Sequence, residues 1–171
     1  TMAWKMSLGD STNADEAHIF DTCVTQGLVM LGYGQGLDFT GCDSRDAVAA
    51  RLREKLPDIP DNDYNINSVH RFKNEMANGH LVVVSDGNKK FRAIGRVAGP
   101  YTFRPDLEFY QVRAVEWLRV VDESLPAEQI LRVNFSQMTL YRLNLSILKA
   151  EAMQELLSGA KDPGERNHVL I

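Results

Sequence analysis

Residues 80–97 read HLVVVSDGNKKFRAIGRV, and this stretch decides the fold. Two runs rich in β-branched residues flank Asp86-Gly87-Asn88, and Asp-Gly between such runs is a strong hairpin signal. The chain then bends at Ala98-Gly99-Pro100 and continues through Tyr101-Thr102-Phe103. From Glu108 to Val121 apolar and polar residues alternate, as in a long strand. The sequence therefore predicts an antiparallel β-meander in the middle of the chain.

The segments on either side of this meander predict strands followed by helices. Strands are expected at Ala3–Leu8 and Leu28–Leu31, and helices at Ala14–Thr25, from Asp43 to Pro57, from Ser68 to Asn78 and at Leu145–Leu157. Pro57–Asn67 is expected to be a loop, and Ala127–Leu131 and Ser136–Leu143 short helical turns. This order favours the α+β class, with a strongly curved sheet or barrel of five to six strands flanked by helices. An open α+β sandwich would fit the same pattern.

Composition limits the class of protein. The chain has 171 residues, of which 44% are hydrophobic and 25% charged, as in one soluble domain with or without a tail. Its two cysteines suggest no disulfide framework, and no apolar run approaches the roughly 18 residues of a membrane span. We therefore expect a cytoplasmic protein with no membrane partner.

Charge is distributed unevenly along the chain. The net charge is −4, yet residues 64–121 carry 9 basic and 5 acidic side chains. This middle third is the candidate for a surface that faces phosphate groups. An ordinary solvated face would give the same count.

The sequence contains no motif that indicates catalysis or cofactor binding. GxSxG, HExxH and GxxxxGK[ST] are all absent, and the four histidines show no metal-ligand spacing. Gly32, Gly34 and Gly36 follow a strand, but the dinucleotide-binding pattern would need glycine where the chain has Leu37. We therefore expect no catalytic residues, no metal and no cofactor.

Aromatic and basic residues near strand ends indicate a binding function instead. Tyr33 stands between two glycines after a strand, and Tyr101 follows Gly-Pro. Aromatic faces beside polar groups suit an extruded nucleobase, which stacks and hydrogen-bonds through its edge. Lys89, Lys90 and Arg92 follow the hairpin turn and could hold backbone phosphates. The tyrosines could equally belong to a core, and the lysines could serve solubility alone.

The order of several motifs resembles that of a known family. The strings WKMSLG, LVMLGYG with LDF, FKNEMANGHLVVV, AIGRVAGPYTF, VRAVEWL and NFSQMTLYRL follow one another through residues 3–143. They resemble the EVE domains of the PUA superfamily, which are related to YTH domains, and most of all those that precede the GTPase motor of McrB-type modification-dependent restriction systems. The resemblance implies a PUA-like curved β-barrel in residues 1–143. Residues 144–171 would then form a helix and linker towards a missing domain.

The resemblance also implies a base pocket and the roles of its residues. The pocket would be formed by Ser7, Leu8, Tyr33, Asp38, Ser85 and Tyr101. Tyr33 and Tyr101 would stack on the base, while Ser7, Leu8 and Asp38 would read its edge. Tyr33 replaces the tryptophan that is usual at its position, which would change the stacking.

The function implied is that of a DNA-binding specificity domain rather than an enzyme. It would read a methylated or hydroxymethylated base in double-stranded DNA by flipping it into the pocket. An NTPase motor in the same chain and a nuclease subunit would be its partners. The alternatives are an RNA modified-base reader and a protein-interaction module with a vestigial pocket. The last would be favoured if Tyr33 were buried in the core with no concave aromatic site.

Overall fold

A computed structural model describes residues 2–158, which form a six-stranded mixed sheet with helices on both faces. The strand order is β2-β5-β4-β3-β1-β6. β1 runs parallel to β3, and the other neighbouring pairs are antiparallel. This arrangement confirms the predicted α+β class with a curved PUA-like sheet flanked by helices.

The elements follow one another in this order. They are β1 Ala3–Ser7, α1 His18–Gln26, β2 Leu28–Leu31, α2 Arg45–Arg53, α3 Tyr64–His70, a π-helical turn Arg71–Glu75, β3 Leu81–Asp86, β4 Lys90–Phe103, β5 Gln111–Pro126, a 3-10 turn Ala127–Gln129, β6 Leu140–Leu143, a 3-10 turn Leu145–Ile147 and α4 Ala150–Ser158.

Both faces of the sheet are covered, so β1 and β3 are almost wholly buried. Side chains alternate between the faces of a strand. Trp4, Met6 and Leu8 accordingly join the larger apolar cluster, which also takes residues from α1, α2 and α3. Ala3 joins a second cluster on the opposite face, with residues of α4. Lys5 and Ser7 are placed by the same alternation on this second face.

The predicted hairpin is confirmed. β3 and β4 pair antiparallel, and Asp86 lies opposite Lys90 across a turn in which Gly87 has φ +69°. A positive φ is accessible to glycine without a steric penalty, so Gly87 suits this turn. β4 runs on through Pro100, and its register with β5 shifts between Val97 and Tyr101.

Three helical predictions need correction. α1 begins at His18 rather than Ala14, because the Asp10 and Asn13 side chains accept hydrogen bonds from nearby backbone N–H groups and favour turns. The third helix begins at Tyr64, inside the predicted loop, because the Asp63 side chain caps it by accepting from the backbone N–H of Asn65. The C-terminal helix begins at Ala150, after a separate 3-10 turn.

The prediction of a helical turn at Ser136–Leu143 is wrong. Leu140–Leu143 forms β6, which pairs antiparallel with β1 through residues 3–6. β6 provides hydrogen-bond partners for the backbone N–H and C=O groups of β1 that point away from β3. Of the predicted linker, residues 158–171, Ser158 is the last residue of α4, and residues 159–171 lie outside the described part of the chain.

Candidate functional site

A cavity of about 480 Å³ opens beside the C-terminal ends of β1 and β2. Its lining comes from the segments that follow these strands, the turn of the β3–β4 hairpin, the loop before β5 and the loop before β6. Ligand pockets usually measure roughly 300–1,000 Å³. The cavity therefore has the size of a site for a small ring system.

Two aromatic side chains line this cavity. Tyr33 follows β2, Phe109 precedes β5, and both are half-buried against the larger apolar cluster. Gly32 lets the Phe109 ring lie close to the backbone, because a Cβ at position 32 would come within 3.2 Å of ring carbons. An adjoining cavity of about 400 Å³ shares Gly32, Tyr33 and Phe109 with the first. The two rings are thus available to ligands on more than one side.

The start of α3 fixes the position of Tyr33. The rings of Tyr33 and Tyr64 meet edge to face, with centroids 4.8 Å apart. Gly34, with φ +102°, donates its N–H to Oδ1 of Asn65 at 3.0 Å. The Tyr64 hydroxyl donates to the carbonyl of Leu140 and accepts from its N–H, both at 3.0 Å. One helix end therefore holds the Tyr33 loop and β6 together.

A chain of polar groups lies along the Ser7 side of the cavity. Lys5, only 1% exposed, donates from Nζ to Oγ of Ser7 at 2.7 Å and to the carbonyl of Met138. The Oγ atoms of Ser7 and Ser85 are 3.3 Å apart. Burial lowers the pKa of Lys5 to about 8. The ammonium group therefore carries most of its charge at neutral pH, directly behind a hydroxyl that lines the cavity.

The remaining polar lining contains carboxylates and amides. Asp10 and Glu16 place acidic side chains at the cavity. The side chain and backbone of Thr12 donate to Asp10 and lower the pKa of its carboxyl group, which stays ionised. Asn88 and Gln137 add amides that can present either a donor or an acceptor.

A family model described as "Domain of unknown function (DUF8426)" matches residues 4–144, a span that includes every residue lining the cavity. The chain belongs to this family. Among solved structures, the DUF8426 chain is similar to the YTH domain of the Zygosaccharomyces rouxii MRB1 protein, crystallised in complex with N6-methyladenosine RNA. The two chains are 10% identical with a TM-score of 0.47, and the match covers 91% of this chain and 86% of that chain. No curated protein matches the sequence.

Two further observations apply to residues 2–158 of the DUF8426 chain. Within that range no group of three or more His, Cys, Asp or Glu side chains could hold a metal ion. None of its helices is long and apolar enough to cross a membrane.

Several residues predicted from the sequence meet at the cavity of the DUF8426 domain. Ser7 and Tyr33 line it directly. Ser85 is 1% exposed and lies beside Ser7. Lys89 and Lys90 are exposed on the hairpin, next to a turn that contributes to the lining.

Leu8 and Arg92 do not have the positions expected of them. The Leu8 side chain is fully buried, and its carbonyl accepts from Nη2 of Arg92 at 3.0 Å. Arg92 is 7% exposed, and its guanidinium lies 4.0 Å above the centre of the Phe20 ring. The interpretation of Arg92 as a phosphate contact is therefore wrong, because its charged group is committed inside the fold.

Asp38 and Tyr101 lie outside the lining of this cavity. Asp38 accepts from the N–H and hydroxyl of Thr40, which lower the pKa of its carboxyl group. The Tyr101 hydroxyl donates to Gln111 and accepts from the N–H of Phe39 at 3.1 Å. Tyr101 therefore braces the loop that follows Tyr33, and Phe109 supplies the second ring at the cavity.

Sequence reasoning missed Phe109, Asp10 and Lys5. Phe109 was included in the predicted strand beginning at Glu108, but β5 begins at Gln111, so the ring belongs to a loop. The sequence did contain a signal for Phe109, since two consecutive aromatic residues, Phe109 and Tyr110, stand directly before a strand. No local signal revealed Lys5, because its burial depends on the segment around Met138.

Proposed function

We propose that this domain binds a modified base of a nucleic acid in the cavity beside Tyr33 and Phe109. The observation that carries the proposal is the presence of two aromatic rings and a hydrogen-bonding hydroxyl, Ser7, in one cavity of about 480 Å³. An extruded base needs stacking surfaces and groups that hydrogen-bond to its edge. A methyl or hydroxymethyl substituent would add apolar contact with the rings, at about 0.8 kcal/mol per buried CH₂.

Lys89 and Lys90 support contact with the backbone of the nucleic acid. Both are exposed and follow Asn88, which lines the cavity. Lysine side chains so close to a bound base can reach its flanking phosphates, and such contacts orient the strand without reading its sequence. Arg92 has no part in this surface.

The contacts of the Lys5–Ser7 pair support a binding role. A serine hydrogen-bonded to a lysine is an arrangement that some hydrolases use, with the lysine as base. Here Nζ of Lys5 donates to the carbonyl of Met138 as well as to Ser7, and Oγ of Ser7 lies 3.3 Å from Oγ of Ser85. The pair is thus part of a hydrogen-bonded chain along the cavity wall, which suits it to bind the edge of a base.

The finer assignment is to DNA, in the specificity subunit of a modification-dependent restriction system. It is supported by the order of sequence motifs, which resembles that of EVE domains preceding McrB-type motors. An NTPase motor, a nuclease subunit and a cytoplasmic location belong to the same proposal. The same cavity chemistry would serve an RNA reader, so the binding test includes both nucleic acids.

The test is fluorescence polarisation at fixed salt with short single-stranded and duplex DNA and with matched RNA. Each probe carries 5-methylcytosine, 5-hydroxymethylcytosine, N6-methyladenine or no modification. We expect a preference for one modified DNA, and a loss of about 5- to 150-fold in Tyr33→Ala and Phe109→Ala, because one stacking contact contributes about 1–3 kcal/mol. Phe103→Ala, which removes a half-buried ring outside the cavity, is the matched control.

Equal affinity for modified and unmodified probes, unchanged in Tyr33→Ala, would refute the proposal and favour a protein-interaction module. A preference for modified RNA over the matched DNA would retain the base pocket and reject the restriction assignment.

A further inference from the structure

We propose that Lys5 fixes the hydrogen-bond polarity of the Ser7 side of the cavity, so that the bound base turns an acceptor atom towards Ser7. This inference rests on the proposed function and names the class of base that the site selects. Lys5 is a positioning residue here, since it acts through Ser7.

The position of Lys5 leaves its ammonium group few alternatives. The residue lies on β1 between Val83 of β3 and Tyr141 of β6, and only 1% of its surface is exposed. Its Nζ lies 2.7 Å from Oγ of Ser7 and 5.5 Å from the centre of the Tyr141 ring, and it also donates to the carbonyl of Met138. A buried charge with these fixed partners does not rotate away into solvent.

The charge of Lys5 determines what Ser7 offers a ligand. An ammonium group donates hydrogen bonds and accepts none, so the Ser7 oxygen must accept from Lys5. Its second lone pair can accept from Ser85, whose Oγ is 3.3 Å away, which leaves the Ser7 proton free for the cavity. Because hydrogen bonds in a chain polarise one another, the ammonium strengthens Ser7 as a donor and weakens it as an acceptor.

The same charge acts on the ligand directly. A positive group behind Ser7 attracts an atom with partial negative charge and repels an N–H group or a positively charged ring. Adenine and cytosine ring nitrogens and base carbonyl oxygens are acceptors of this kind. N1-methylated adenine is cationic and has lost one ring acceptor, so it is disfavoured beside Ser7 relative to N6-methyladenine or 5-methylcytosine, although the acidic Asp10 and Glu16 at the same cavity offset part of the repulsion.

The test removes acceptor atoms from the ligand one at a time. Oligonucleotides carry N6-methyladenine or 5-methylcytosine, and matched probes carry the 1-deaza, 3-deaza or 7-deaza form of the adenine or the 3-deaza form of the cytosine. Another probe carries 1-methyladenine. In the wild-type protein we expect one deaza analogue of the preferred base to bind roughly tenfold more weakly, and 1-methyladenine to bind more weakly than N6-methyladenine.

The variants assign this loss to the Lys5–Ser7 pair. In Ser7→Ala the preferred base and its weak deaza analogue should bind alike. In Lys5→Met the ratio between them should shrink and 1-methyladenine should be tolerated better. Lys89→Met, which removes an exposed lysine, should lower the affinity for all probes alike and leave the ratios unchanged. Thermal unfolding verifies that each variant is folded, and Ser7→Ala carries the test if Lys5→Met is not.

The outcomes separate this inference from the function on which it rests. The role of Lys5 is overturned if the deaza analogue still binds more weakly than the preferred base in Ser7→Ala, or if the wild-type protein binds every deaza analogue as well as the unaltered base. Either result leaves the proposal of a modified-base reader intact. A wild-type protein that does not distinguish modified from unmodified probes overturns both.

Discussion

Raising the pH from 7 to 9.5 should stabilise the wild-type protein relative to Lys5→Met. Burial lowers the pKa of Lys5 from 10.5 to about 8 in the folded state. At pH 7 the folded and unfolded states both bind the proton, so folding carries the full cost of burying the charge. Between about pH 8 and 10.5 the unfolded chain keeps the proton while the folded protein releases it, and stability rises with pH.

The expected gain in the free energy of unfolding depends on how far the pH lies above the lowered pKa of Lys5. One pKa unit corresponds to about 1.4 kcal/mol, and pH 9.5 lies 1.5 units above the lowered pKa of about 8. The relative gain is therefore about 2 kcal/mol at pH 9.5. Burial raises the pKa of Cys23 and of Tyr101 to about 12, which destabilises the fold above their ordinary values of 9.0 and 10.0. Both groups are present in both proteins, so their effects cancel in the difference.

The assay is urea unfolding of the wild-type protein and of Lys5→Met at intervals from pH 7 to 9.5. The free energy of unfolding of the wild-type protein minus that of the variant is plotted against pH. Lys89→Met provides the matched baseline for removing an exposed lysine. A difference for Lys5→Met that stays constant within about 0.5 kcal/mol, the usual scale of surface substitutions, would mean that the buried ammonium keeps its proton. The reasoning about desolvation at this site would then be refuted.

Three further predictions concern the elements around the cavity. Gly34→Ala should lower the free energy of unfolding by about 1–3 kcal/mol, because φ is +102° and the new Cβ would lie 2.8 Å from an aromatic ring; unchanged urea unfolding would contradict this. Tyr64→Phe should cost about 1–3 kcal/mol and speed amide hydrogen exchange in β6, whose backbone its hydroxyl holds; slow exchange in the variant would speak against that anchor. Lys89→Gln and Lys90→Gln should each reduce the salt dependence of nucleic-acid binding by about one unit of slope, whereas Arg92→Gln, verified as folded by thermal unfolding, should leave the slope unchanged; a smaller slope in the Arg92 variant would return that residue to the interface.

Local patterns were sufficient for much of the fold. Leu28–Leu31 was predicted with the bounds that the structure has, because four apolar residues lie between a helix stop and a glycine cluster. The hairpin followed from Asp86-Gly87 in the same way. β6 was missed because Leu140–Leu143 is short and becomes a strand only by pairing with β1, far away in the chain. Tertiary pairing decided its structure, against the local pattern.

The cavity was only partly predictable for a similar reason. Tyr33 was recognisable because the glycines beside it allow close backbone approach. Lys5 was not, since a lysine within an alternating apolar strand suggests a solvent-exposed position. Its burial comes from Tyr141 and Met138, which reach β1 from the other end of the sequence.

The central place of β1 has a consequence for how the domain is made. β1 lies between β3 and β6, so a strand that is synthesised before both of them pairs with residues 81–85 and 140–143. The Ser7 side of the cavity cannot be completed until almost the whole domain has emerged from the ribosome. Until then the apolar residues of β1 and an open backbone edge remain exposed to other chains. Versions shortened before residue 143 should accordingly aggregate.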